Sequence, residues 1–117
     1  MIEQPISFWP DEAEALLEVC RARFPGAPLA SDSRLVTNGA LFLAFPHEGR
    51  DGRSFCADAV RRDAAGLVVE EEHATVRFSR EPSVWLSPQG REVPLWRVAH
   101  LHRWAGEWAH RWYGRPS

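Results

Sequence analysis

A chain of 117 residues suffices for one domain with one modest core. Its 44% hydrophobic and 26% charged residues strike an ordinary globular balance, and a formal net charge of −2 argues against nucleic acid as the main partner. No apolar run approaches the roughly 20 residues of a membrane span, no basic-then-apolar leader opens the chain, and Cys20 and Cys56 lie among apolar neighbours, which together read as a soluble cytoplasmic domain with reduced thiols.

All 14 cationic side chains are Arg. Without Lys, a phosphate-loop lysine and a Schiff-base lysine are both excluded. The guanidinium groups that remain suit bidentate recognition of phosphate or carboxylate.

The first element is a helix from Pro10 to Phe24. Pro10 suits its first turn, Asp11, Glu12 and Glu14 suit the positive end of its dipole, and Ala13, Leu16, Leu17, Cys20 and Phe24 form its inward stripe. Pro25-Gly26 ends it. A turn-rich passage, Ala27 to Asn38, carries Asp32-Ser33-Arg34 and leads through the tight turn Asn38-Gly39 into a continuous apolar run, Ala40 to Phe45, of a length that fits a buried strand. The polar loop Pro46-His47-Glu48-Gly49-Arg50-Asp51-Gly52-Arg53 follows. Ser54 is placed to cap the next helix, Phe55 to Arg62, with Phe55, Ala59 and Val60 facing inward. Gly66 to Val69 then completes a strand–helix–strand crossover. Short strands are expected at Val76-Arg77-Phe78, Val84-Trp85-Leu86 and Val93 to Val98. A final helix, Ala99 to Trp112, sets Leu101, Trp104, Ala105, Trp108 and Trp112 on one face. The fold class expected is α/β, a small single domain over residues 1–117 with a mixed, largely parallel sheet flanked by helices.

The loop after the apolar strand is the most informative feature. In open α/β sheets, ligands bind beyond the carboxyl ends of the strands, where backbone N–H groups at helix starts bind anions. Gly49 and Gly52 fit a place where backbone comes close to a ligand, and Arg50 and Arg53 supply charge. Asp32-Ser33-Arg34, just before the same strand, offers a hydroxyl and a guanidinium that Asp32 can hold. Read blandly, the one is a solvated loop and the other a capped turn. The histidines do not suggest a metal centre: His100 and His102, two apart on a helix, point about 200° from each other, and no histidine pair has zinc-site spacing. Thr37-Asn38-Gly39 echoes part of a phosphate loop without its Lys. No nucleophile–base pair stands out, so the chain is not expected to be catalytic alone.

Taken in order, these segments resemble the N-terminal domain of a Mur ligase of the UDP-N-acetylmuramoyl-tripeptide synthetase (MurE) type. The resemblance is carried by Asp32-Ser33-Arg34, by Gly39-Ala40-Leu41-Phe42-Leu43-Ala44, by Asp51-Gly52-Arg53, by Ala64-Ala65-Gly66-Leu67-Val68-Val69-Glu70 and by Trp112-Tyr113-Gly114-Arg115-Pro116-Ser117. It implies that this domain binds the UDP part of UDP-MurNAc-L-Ala-D-Glu in peptidoglycan precursor synthesis. ATP and Mg would bind a central domain, and the incoming amino acid a C-terminal one; no cofactor is expected in this chain. The resemblance assigns UDP contacts to Ser31 and Ser33, with Arg34 bracing the turn. It wraps His47, Glu48, Gly49 and Arg50 around uracil and ribose, and gives Asp51 and Gly52 the task of fixing the loop and the helix entry. The remaining ligase domains would meet the C-terminal Trp face. Three departures stand out: Ser31 replaces an apolar residue that packs on uracil, His47 replaces a glycine, and Arg62-Asp63-Ala64-Ala65 replaces the usual Gly-Ala. The alternative is a stand-alone Mur-like domain serving as an interaction module, through Trp85, Trp96 or the Trp face, or as a general nucleotide-binding module. A UDP site requires Ser33 and Arg50 to face one cleft, whereas an interaction module requires an exposed apolar patch.

Overall fold

Apolar side chains alternate between two faces along the central strands, and each face has its own helical cover. A computed structural model describes residues 9–47, 49–71 and 79–114. Its sheet is built from β1 (Leu29–Ala30), β2 (Leu41–Ala44), β5 (Gly66–Glu70), β6 (Ser83–Leu86) and β7 (Glu92–Val98), in the order β1-β2-β5-β7-β6. β1, β2, β5 and β7 pair in parallel, and β6 closes one edge antiparallel to β7. A separate two-stranded hairpin joins β3 (Pro46–His47) to β4 (Arg50–Asp51). The chain is therefore α/β with a mixed, mostly parallel sheet.

The period-2 rule of a strand explains why these strands read as unbroken apolar runs. Leu41 and Leu43 point into one core with Val68, Trp96 and Val98, while Phe42 and Ala44 point into the other with Leu67, Val93 and Leu95. Helices α1 (Asp11–Arg23) and α3 (Leu101–Trp112) cover the first face. Helix α2 (Cys56–Arg61), which carries the chain from β2 to the parallel strand β5, covers the second with Cys56, Ala59 and Val60.

Pro10 stands one residue earlier than expected, as an extended N-cap rather than inside α1, where its ring restricts only φ and its missing N–H costs nothing. The Trp face of α3 is the packing surface of the first core: Trp104, Trp108 and Trp112 are buried, as is Trp96 on β7. Each indole N–H donates to a backbone carbonyl, Trp104 to Ala99, Trp108 to Ala13, Trp112 to Ala27 and Trp96 to Arg80. These side chains are covered within the domain itself. Trp85 on the edge strand is half-buried against the second core. The strand expected at Val76-Arg77-Phe78 lies outside the described residues.

Candidate functional site

Two copies of one local device flank the carboxyl ends of β1 and β2. In the first, Asp32 Oδ1 accepts from the backbone N–H of Arg34 at 2.9 Å and from its Nε at 3.0 Å, and Oδ2 accepts from Nη2 at 2.7 Å. In the second, Asp51 receives the same three bonds from Arg53 at 3.0, 2.8 and 2.7 Å. Each aspartate caps a short 3-10 helix, Ser33–Leu35 and Gly52–Phe55. A short carboxylate two residues upstream reaches both the free N–H and the side-chain fork, which is why Asp-x-Arg forms this turn. The Arg34 groups hold the Asp32 carboxyl far below the usual carboxylate range, and the Arg53 groups lower Asp51. Ser54, expected to cap the following helix, is instead inside the second 3-10 turn; Asp51 does the capping.

Gly52 is required by proximity. A Cβ there would lie 3.0 Å from both the backbone N and the carbonyl O of Phe45, and the Gly52 N–H donates to that carbonyl at 3.0 Å. Gly49 meets a different need: its φ is +77°, in the connection between His47 and Arg50, and nothing approaches its missing Cβ.

Between the two turns opens a cavity of about 670 Å³, lined by Ser31, Asp32, Ser33 and Arg34 from one side and by Phe45, His47 and Arg50 from the hairpin side. Its third wall is Gly52, Phe55, Asp58 and Arg61, a run with a spacing of three. This volume is in the range of small-molecule sites. Of the residues expected at the site, Ser31, Ser33, Arg34, His47, Arg50 and Gly52 converge here. Asp51 stands behind the wall as the cap of Gly52–Phe55, and Gly49 shapes the hairpin tip. Glu48 lies outside the described residues. Ser33 and Arg50 face one cleft.

Phe55 corrects the sequence reading. Expected to point inward, it is 38% exposed and faces the cavity. The expectation assumed an α-helix starting at Ser54. The chain enters instead through a 3-10 turn, in which residues three apart eclipse, and this puts Phe55 in line with Gly52. The same shift brings in Asp58 and Arg61, which sequence reasoning missed. The Ser33 hydroxyl, together with the guanidinium groups of Arg62 and Arg61, holds the Asp58 carboxyl below its usual range. Arg61 Nη2 and Arg62 Nε lie 2.7 and 3.1 Å from its two oxygens.

The electrostatics of the cleft are uneven. Arg34 is paired with Asp32, and Arg61 with Asp58. Arg50 is exposed, lines the cavity, and has no carboxylate at ion-pair distance among the described residues; its charge is felt at Asp32.

A smaller cavity, about 300 Å³, lies across the hairpin and is lined by Pro46, Glu70, His100 and His102. Glu70 is buried at the end of β5, accepting from the backbone N–H of His102 at 2.7 Å and lying 2.8 Å from its Nδ1. That carboxylate therefore anchors the first turn of α3. Among the described residues, no three His, Cys, Asp or Glu side chains come together as metal ligands, and no helix is long and apolar enough to cross a membrane.

No protein-family model matches the chain. Curated relatives do. The chain is 34% identical, over 108 residues covering 88% of it, to UDP-N-acetylmuramoyl-L-alanyl-D-glutamate--2,6-diaminopimelate ligase of Janthinobacterium sp. (strain Marseille). It is 42% identical over 89 residues, 76% of the chain, to the protein of the same name from Pseudomonas syringae pv. tomato. A shorter stretch of 42 residues, 36% of the chain, is 55% identical to that of Solibacter usitatus. The chain spans 18%, 16% and 8% of these three relatives, so the similarity concerns one domain-sized part of each. An α/β domain with this sheet, with the Asp-x-Arg turns at either side of its cleft, and with this similarity over most of its length, belongs to the Mur ligase family, as a domain of the MurE type.

Proposed function

We propose that this domain holds the UDP end of a UDP-MurNAc-peptide for a peptidoglycan precursor ligase, in the cavity between the two Asp-x-Arg turns. The observation that carries the reading is the convergence of Ser33, Arg34, His47, Arg50 and Gly52 on one cleft of about 670 Å³ at the carboxyl ends of β1 and β2. The relatives are named for a ligase whose substrate carries a UDP-sugar, which fits a cleft with hydroxyl, guanidinium and aromatic groups side by side.

In this reading the domain contributes binding and orientation. Ser31 and Ser33 offer hydroxyls, Arg50 offers the diphosphate a charge with no carboxylate at ion-pair distance among the described residues, and His47 and Gly49 shape the hairpin that borders the nucleoside. Arg34 and Asp51 act indirectly, by fixing the turns on which the contacting groups stand. ATP and Mg, activation of the D-Glu carboxylate and addition of the third amino acid belong to other parts of a full-length ligase, and the protein works in the cytoplasm, where that substrate is made.

Isothermal titration with UDP-MurNAc-L-Ala-D-Glu, UDP and ADP tests this reading. The expected result is saturable binding of the two uridine ligands, on the order of millimolar for UDP alone, and weaker binding of ADP. Equal binding of UDP and ADP would turn the account towards a general nucleotide module, and no heat from any of the three with a folded domain would remove the substrate-holding role.

A further inference from the structure

Phe55 is an aromatic ring where a core residue was expected. It is 38% exposed, it stands on the Gly52–Phe55 turn, and that turn is pinned to the end of β2 by the Gly52–Phe45 contact, which leaves no room for a Cβ. The ring thus stands on a turn fixed to the sheet, and it lines the cavity. Phe45 and His47 line the same cavity from the hairpin side and pack edge to face, their ring centroids 5.9 Å apart. Arg50 lines it too, with no carboxylate at ion-pair distance among the described residues, while Arg34 and Arg61 are each closed on a carboxylate.

An exposed ring and a cation with no carboxylate at ion-pair distance among the described residues, both lining one concave site, match a ligand with a flat ring at one end and an anionic group at the other. Bases stack on aromatic side chains irrespective of their edges, so the ring is recognised by its face and the charge by Arg50. We infer that Phe55 is the platform on which the base of the bound nucleotide lies, with the diphosphate directed to Arg50. This rests on the nucleotide reading of the cavity and goes beyond it by assigning a residue and an orientation. Ser33, whose hydroxyl bonds Asp58 on the wall that carries Phe55, then borders the nucleoside from the side of the first turn.

The test uses the 117-residue chain and three probes: UDP, ribose 5-phosphate, which lacks the base, and inorganic pyrophosphate. In the wild type, UDP should bind more tightly than ribose 5-phosphate, and the uracil H5 and H6 resonances should move upfield as the base enters the shielding cone of Phe55. Phe55→Leu, which keeps apolar bulk, should weaken UDP roughly tenfold or more, abolish the upfield shift and leave pyrophosphate binding unchanged. Phe55→Tyr should retain both the affinity and the shift. Arg50→Ala should lose pyrophosphate and weaken UDP while keeping the upfield shift of whatever UDP still binds. Dispersed amide spectra of each variant establish that it is folded. If UDP binds the wild type but Phe55→Leu leaves its affinity relative to ribose 5-phosphate and the H5/H6 shift unaltered, the platform assignment is overturned while the nucleotide reading stands. If neither UDP nor pyrophosphate binds the folded wild type, the nucleotide reading itself fails.

Discussion

The turns at residues 32–34 and 51–53 carry the same three hydrogen bonds at nearly the same lengths, yet their middle residues differ for physical reasons. Ser33 is buried with room for its hydroxyl next to Asp58, whereas Gly52 lies where the backbone of Phe45 leaves no space for a side chain. The pairs also differ in exposure: the Arg34 side chain is 63% exposed and the Arg53 side chain 28%. One local code therefore serves two tasks. The first turn presents a functional side chain, and the second locks a helix start against the sheet. The capping aspartate makes the turn; the middle residue decides what the turn is for.

The largest test of that difference is Gly52→Ala. Its Cβ must displace backbone at 3.0 Å, so a loss of about 1–3 kcal/mol is expected, read as a lower midpoint in urea. Ser33→Ala should cost less in stability, about 1 kcal/mol for a buried hydroxyl losing its hydrogen bond, and more in UDP affinity. If the two substitutions proved equally destabilising, the two middle residues would share one role.

Next in size is removal of the caps. Asp51→Ala should destabilise by about 1 kcal/mol, because it frees the turn that supports Phe55 and α2. Asp32→Ala, whose partner Arg34 is the more exposed of the two guanidinium groups, should lower the melting temperature by less, and its main effect should be on ligand affinity. A larger thermal effect at Asp32 than at Asp51 would reverse the assignment of tasks.

Acid titration sharpens the same comparison at smaller amplitude. Asp32, Asp51 and Asp58 all have carboxyl groups lowered in the folded state, so their contributions are fully present above the unfolded carboxylate value of about 3.9 and are lost as pH falls through their lower folded values. Melting temperature should fall with pH below about 4, and Asp32→Asn and Asp51→Asn should each flatten that fall.

The smallest effect concerns the thiols of the two cores. Burial pushes Cys20 up to about 12 and Cys56 up to about 11, so both stay protonated at neutral pH. Iodoacetamide at about pH 8, just under the free-thiol value, should modify them only as the domain unfolds. Rapid alkylation of Cys56, which sits on α2 at the base of the second turn, would indicate that this turn opens readily.

Much of the fold was legible because its signals are periodic. The run from Ala40 to Phe45 is apolar throughout since β2 has a core on each side, and the Trp spacing on α3 marks a helix face that the first core fills. The two Asp-x-Arg motifs announced turns, and the resemblance tied them to one site. Phe55, Asp58 and Arg61 were missed because helical periodicity was counted from Ser54, whereas a 3-10 turn at Gly52 resets the phase of the residues after it. No local pattern carries the 3.0 Å approach of Gly52 to Phe45, a tertiary contact that fixes where this wall stands.

The most direct measurement is an amide shift map of the ¹⁵N-labelled domain titrated with UDP. The account predicts saturable shifts at Ser31 to Arg34, at His47 to Gly52 and at Phe55, with the α1 and α3 face silent. Shifts centred instead on Glu70, His100 and His102 across the hairpin, or a flat spectrum at several millimolar UDP, would contradict it.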